Sequence, residues 1–191
     1  DEDKVYLTDL QVDKSTRKQG LATQLINKSF EVIKNTIDTK KLAFSEKNRS
    51  ECRKRLNIQN DTFVMGTVCR ISYQKNPFFL IDIFEQVHKM NSNSILIWAG
   101  DGELDNELKK YIASKNLSKE VILLGASDNV ASLYAAMDVF VLPSRYEGLG
   151  IVYIEAQAAG LRTFASDVVP RDTNVTDLIS YLPLQVPSEN W

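Results

Sequence analysis

The chain has 191 residues, of which 43% are hydrophobic, 25% charged and 9% aromatic, with 8 Gly and 5 Pro. This is ordinary globular composition, which sets aside disordered, collagen-like and coiled-coil classes and suits one domain with an appendage. Lys+Arg is 23 and Asp+Glu is 25, a net charge of −2, so no nucleic acid is expected as a partner. Cys52 and Cys69 show neither metal-ligand spacing nor a disulfide framework, which points to a reducing cytoplasm. No apolar run approaches the ~20 residues of a membrane span, and Asp1-Glu2-Asp3-Lys4 is not a signal peptide. A soluble, cytoplasmic protein is expected, with a peripheral place at the inner face of a membrane left open.

In chain order, Lys4 to Val12 alternates in the manner of a strand, Arg17 to Ala22 forms a basic, glycine-bearing turn, and Leu21 to Ile33 has helical spacing. Residues 1–35 are therefore expected to form a strand-loop-helix appendage. The main domain, 36–191, then alternates strand and helix. Phe63 to Cys69 is an apolar, β-rich strand. Asn76 to Met90 is an amphipathic helix with Asn76 as N-cap and Pro77 in its first turn. Strand Ser94 to Ala99 stops at Gly100-Asp101-Gly102. Helix Leu104 to Lys115, strand Val121 to Leu124, helix Val130 to Met137 and strand Val139 to Leu142 follow. Pro143 opens a loop to helix Ile151 to Ala159, which Gly160 caps before strand Thr163 to Ala165. Leu182 to Trp191 shows no closing helix, and the domain reads as truncated at that end.

Continuous rather than alternating apolar strands predict an α/β fold, a Rossmann-like parallel sheet with helices on both faces. Ligands of such sheets bind outside the carboxyl ends of the strands, which directs attention to the loops there. In the loop after the fourth strand, Glu147 and Glu155 bracket Gly148-Leu149-Gly150-Ile151 at the start of a helix. Unpaired amides and the helix dipole make that turn a seat for a diphosphate. Carboxylates there suit hydroxyl groups, with Glu155 placed for a ribose diol and Glu147 for a sugar. The cation must come from elsewhere, and Arg70 and Lys75, in the loop after the first strand, supply it. Gly100-Asp101-Gly102 is a partial dinucleotide fingerprint, read more simply as a turn lining the donor site.

These pieces stand in a recognisable order. Asn35 to Lys41, Arg70-Ile71-Ser72-Tyr73-Gln74-Lys75-Asn76, Ala99-Gly100-Asp101-Gly102, and Leu142-Pro143-Ser144 through Glu155 to Leu161 resemble the C-terminal, donor-binding half of a family 4 glycosyltransferase of GT-B architecture. The capsular and exopolysaccharide enzymes of bacteria are the nearest type. The resemblance implies retaining transfer of a sugar from a nucleotide donor, usually a UDP-sugar, with no metal and no further cofactor. It assigns the diphosphate to Arg70 and Lys75, backbone donors to Gly148, Leu149, Gly150 and Ile151, a turn at the donor site to Gly102, the donor sugar to Glu147 and the ribose to Glu155. It also implies a glycan or lipid-linked acceptor held by an N-terminal domain that this chain does not contain, and hence an isolated chain that transfers poorly. Two positions depart from the pattern: Cys69 replaces the usual Gly, so that a side chain enters a space normally left to the diphosphate, and Gly150 stands where Pro is common.

Arg17-Lys18-Gln19-Gly20-Leu21-Ala22 resembles the pyrophosphate loop of GNAT acetyltransferases, although no acetyltransferase sheet follows. Two other readings of the main domain stay open: a non-catalytic or decayed module of the same fold, which would bind nucleotide weakly or not at all, and a Rossmann oxidoreductase that binds NAD at Gly100 to Glu103.

Overall fold

A computed structural model describes residues 37–191. The expected strand, basic loop and helix of residues 1–35 lie outside the described residues. From Thr39 to Trp191 the chain forms one unit. It contains helices α1 (Thr39–Leu42), α2 (Glu46–Arg55), α3 (Pro77–Met90), α4 (Asp105–Ser114), α5 (Val130–Ala136) and α6 (Ile151–Ala158). Its strands are β1 (Phe63–Val68), β2 (Ser94–Ala99), β3 (Val121–Leu123), β4 (Val139–Leu142), β5 (Arg162–Ser166) and β6 (Ile179–Leu182).

All six strands pair parallel, in the order β3-β2-β1-β4-β5-β6. The chain builds outward from β1 to β3, returns through α5, and resumes on the other side of β1. The order therefore reverses between β1 and β4, and at the carboxyl ends of these two strands their loops part to leave a crevice. Burial explains the continuous apolar strands. Every residue of β4 is buried, and Val64, Met65, Leu96, Ile97 and Trp98 are at most 1% exposed.

The predicted elements recur with ends shifted by a residue or so, and three were not anticipated, the short α1 among them. α2 has no apolar stripe; its buried residues are Cys52 and Arg53. β6 is a half-buried edge strand. The expected side-chain cap at Asn76 is not made. Its backbone turns left-handed at φ 55°, and the side chain folds inward with Oδ1 buried and unpartnered. Pro77 still opens α3 at the position where its missing N–H costs nothing.

The polar face of α2 fastens the amino-terminal edge of the sheet. Arg53 is 2% exposed and donates to the carbonyls of Gln59, Asn60, Thr62 and Ala136. Its Nη2 meets Asp138 Oδ2 at 2.8 Å. Arg49 takes the other oxygen of Asp138 and the carbonyls of Ala135 and Met137. The Val64 amide also donates to Asp138, at 2.7 Å. Two guanidinium groups thus satisfy the last carbonyls of α5, where the helix dipole favours positive charge, and lock α5 to the start of β4 and to β1.

Without Arg53, Asp138 would keep Arg49, but four carbonyls would lose a buried donor, a combined cost of about 3–5 kcal/mol at roughly 1 kcal/mol or more for each unsatisfied group. Arg53→Ala is therefore expected to lower the unfolding free energy by about that amount in urea titrations. Lys47→Ala, which breaks a solvent-exposed 4.0 Å pair with Glu51, should leave the midpoint unmoved. Equal midpoints for the two variants would contradict the role given to Arg53.

Candidate functional site

Two loops meet over the crevice: the one after β1, up to Asn76, and the one after β4, Pro143 to Gly150. The Arg145 amide donates to the Gln74 carbonyl at 2.7 Å, and Gln74 Nε2 donates to the Tyr146 carbonyl at 3.0 Å. The Arg145 guanidinium lies over the Tyr73 ring, 4.6 Å from its centroid. Beneath these contacts the Glu147 side chain is 4% exposed and that of Lys75 16%, with Nζ 2.6 Å from Oε1. A carboxylate so withdrawn from water needs donors on every side. Ser144 Oγ donates to Oε1 at 2.6 Å and Gln74 Nε2 approaches Oε2 at 3.3 Å. Ser144 is itself fully buried, 3.1 Å from the Tyr153 hydroxyl, while Ser166 Oγ donates to its carbonyl.

From Glu147 the chain runs straight into the start of α6. That helix has no side-chain cap and no acidic residue in its first turn, so its leading amides and positive dipole end carry no built-in anion. The glycines differ in kind. Gly150 is left-handed, at φ 70°, and a Cβ there would meet the Tyr153 ring at 2.7 Å; the fold itself demands glycine, and proline could not adopt that φ. Gly148 has nothing within 4 Å of where its Cβ would sit. Its bare backbone faces open space. One turn into α6, Glu155 accepts a 2.9 Å hydrogen bond from the Tyr134 hydroxyl of α5 on Oε2. It has no other hydrogen-bond partner among the described residues.

The structure thus brings Lys75 and Glu147 into contact, with Gly148, Leu149, Gly150 and Ile151 following directly along the chain. Arg70 is placed differently. It emerges after β1 as expected, but its side chain is 72% exposed and pairs at 3.4 Å with Glu103 of the loop after β2. Gly102 serves the same loop pair. A Cβ on it would lie 2.2 Å from the Ile71 carbonyl oxygen, because the Ile71 amide donates to Asp101 and the Leu104 amide to Ile71. Cys69 is 8% exposed. Burial pushes its thiol up to about 12, the Thr67 hydroxyl and Lys75 opposing this, so it sits there as a neutral thiol. No group of three His, Cys, Asp or Glu able to hold a metal ion occurs among the described residues.

Sequence reasoning missed Gln74, Ser144, Tyr153 and Tyr134. The Ser144-x-x-Glu147 spacing of a local side-chain bond was available for the second of these. Tyr134 gave no signal, because it lies on a different helix from Glu155 and reads as core.

Comparison with known proteins gives this geometry a family context. The family described as Glycosyl transferases group 1 matches residues 48–177. The putative glycosyltransferase EpsF of Bacillus subtilis is 32% identical over 161 residues, 84% of this chain and 42% of the relative. The UDP-Gal:alpha-D-GlcNAc-diphosphoundecaprenol alpha-1,3-galactosyltransferase of Escherichia coli is 35% identical over 140 residues, 72% of this chain and 36% of the relative. The chain therefore spans about two fifths of the length of these curated relatives. Among solved structures, Anabaena HepE in complex with UDP and glucose aligns with TM-score 0.69 and 26% identity, over 80% of this chain and 42% of that one. The C-terminal domain of the group 1 glycosyltransferase LpcC from Francisella tularensis aligns with TM-score 0.67 and 22% identity, over 81% and 83%. This last likeness concerns the fold, which is that of a C-terminal GT-B domain.

The contrast between glycines gives a test. Gly102→Ala is expected to cost stability, seen as a lowered melting temperature, because a backbone oxygen already fills the space. Gly148→Ala should melt within about one degree of the parent, since the side chain enters open space and touches nothing. A matching drop in both would mean that Gly148 is also held by packing.

Proposed function

This chain belongs to the group 1 glycosyltransferases, and we propose that it is the nucleotide-sugar-binding half of a retaining enzyme that moves a sugar from a UDP-sugar to a polysaccharide or lipid-linked acceptor. One observation carries the reading. The open backbone at Gly148 stands between the buried Lys75–Glu147 pair and the uncapped start of α6, where a diphosphate would find amides and an ammonium together.

In this proposal Glu147, fixed by Ser144, Gln74 and Lys75, orients the donor sugar through its hydroxyls. Lys75 donates one ammonium N–H to Glu147 and turns its remaining N–H bonds to the diphosphate. Arg70, on a long exposed side chain, leaves Glu103 to reach the same group. The amides of Gly148, Leu149, Gly150 and Ile151 add neutral donors. As the glycosidic bond breaks, negative charge grows on the departing diphosphate, and these fixed positive groups stabilise it more than the ground state. No metal is needed for that step. Glu155 accepts from the ribose hydroxyls, and Gly102 keeps the loop that carries Arg70 close to the loop after β2.

The relatives supply the chemical class of the substrates: HepE is described with UDP and glucose, and the Escherichia coli relative by its name uses UDP-Gal and a diphosphoundecaprenol acceptor. Acceptor binding is assigned to the part of such enzymes that this chain does not span. The site of action is placed on the cytoplasmic side, beside the membrane that holds the acceptor; no helix among the described residues is long and apolar enough to cross it. Residues 1–35 are given no part in transfer.

Titration of the chain with UDP, followed by calorimetry, tests the reading. Saturable binding is expected, and silence at millimolar UDP would leave the non-catalytic module as the better account. Glu155→Ala should weaken UDP about tenfold, roughly the value of a hydrogen bond to a charged group. Glu147→Gln should leave bare UDP within about threefold and weaken the intact UDP-sugar. Equal losses of UDP affinity in both variants would contradict the division of labour between the two carboxylates.

A further inference from the structure

Glu147 and Glu155 are supported very differently. Glu147 is surrounded by an ammonium, a hydroxyl and an amide. Glu155 relies on a single hydrogen bond, from the Tyr134 hydroxyl to Oε2 at 2.9 Å. A glutamate carries three side-chain torsions, and a ligand that must order them alone gives up part of its affinity to do so. A donor that holds one carboxylate oxygen in advance removes much of that cost and sets the plane of the carboxylate.

We propose that Tyr134 is a positioning residue for Glu155: its buried hydroxyl fixes Oε2 so that the carboxylate is presented, already oriented, to the ribose diol of a nucleoside diphosphate. The proposal rests on the ribose reading of Glu155 given above. Three observations support it. The Tyr134 ring is fully buried, with the Phe140 ring centroid 6.0 Å away, so the hydroxyl has little freedom to move. Burial, and then the charge of Glu155, pushes the phenol well above its ordinary range, which keeps the proton on the tyrosine and makes it a donor throughout the physiological range. The helix that carries it is itself pinned, since Arg49 and Arg53 grip the carbonyls of Ala135 and Ala136 immediately after Tyr134. Oε1 has no protein donor among the described residues, which leaves it available to a diol.

The distinguishing measurement is selectivity for the ribose rather than affinity as such. Dissociation constants are measured for UDP and for 2′,3′-dideoxy-UDP, which lacks both hydroxyls, and their ratio is compared between variants. The parent chain should prefer UDP about tenfold. Tyr134→Phe keeps the ring and removes the donor; it should weaken UDP about fivefold and leave dideoxy-UDP unchanged, collapsing most of the ratio. A purely structural tyrosine would instead weaken both ligands by the same factor, which would overturn the proposal, as would an unchanged ratio.

Because Tyr134→Phe leaves a carboxylate without its donor, a second comparison covers a variant too unstable to titrate. Tyr134→Phe combined with Glu155→Gln has no unpaired charge and should match Glu155→Gln alone for both ligands. A further loss of UDP in the double variant would show that Tyr134 acts otherwise than through Glu155, and would overturn the proposal. If Glu155→Ala keeps the parent ratio, the ribose reading of Glu155 fails first and the role of Tyr134 falls with it. If Glu155→Ala abolishes the ratio while Tyr134→Phe preserves it, Glu155 keeps its role and Tyr134 alone is refuted.

Discussion

A carboxylate taken almost wholly out of water must be met by donors on all sides, and Glu147 is met by atoms from two stretches of chain that are far apart in sequence. Lys75 and Gln74 come from the loop after β1, Ser144 from the start of its own loop. That single requirement joins the two strands flanking the point where the strand order reverses. It also fixes where α6 begins, because the residues from Glu147 to Gly150 are all that separate the buried pair from the first turn of the helix. The open backbone at Gly148 and the uncapped amides behind it are consequences of that anchoring.

A second charge network works at the opposite edge of the sheet by the same electrostatics. Asp138 lies between Arg49 and Arg53, and the buried guanidinium of Arg53 is distributed over four carbonyls as well. Its effect is mechanical: α5 is held at its carboxyl end, and its last turn carries Tyr134. One network therefore shapes the binding edge directly, while the other supports it from behind through a helix.

The succession of strands and helices along the chain, and the loops that follow the strands, were largely legible in the residues themselves. β4 is uniformly apolar because both of its faces are covered, and such a run cannot be mistaken for a surface helix when a Pro-Ser loop ends it. The paired glutamates were visible because the glycines between them advertise a special turn. What escaped notice escaped for physical reasons. α2 is stabilised by arginines that bond to carbonyls 83 to 88 residues away, so it carries no periodic apolar stripe to detect. β6 is a half-buried edge strand, and an edge strand needs little apolar patterning. Asn76 has the right identity for a helix cap, but its left-handed backbone turns the side chain away from the helix. Arg70 was correctly placed at the end of β1, yet a long side chain on an exposed loop chooses its partner by proximity, and Glu103 is the nearer charge.

The contact between Lys75 and Glu147 spans 72 residues of chain, and that interval contains β2, β3, three crossover helices and β4. Closing so long a loop is entropically unfavourable until the intervening strands have docked. The two halves of the crevice consequently belong to one cooperative unit, and neither loop is shaped before the sheet is. Anything that engages both loops at once is coupled to the folding equilibrium of the entire layer, so its grip would be felt as protection of backbone amides as distant as those of β3.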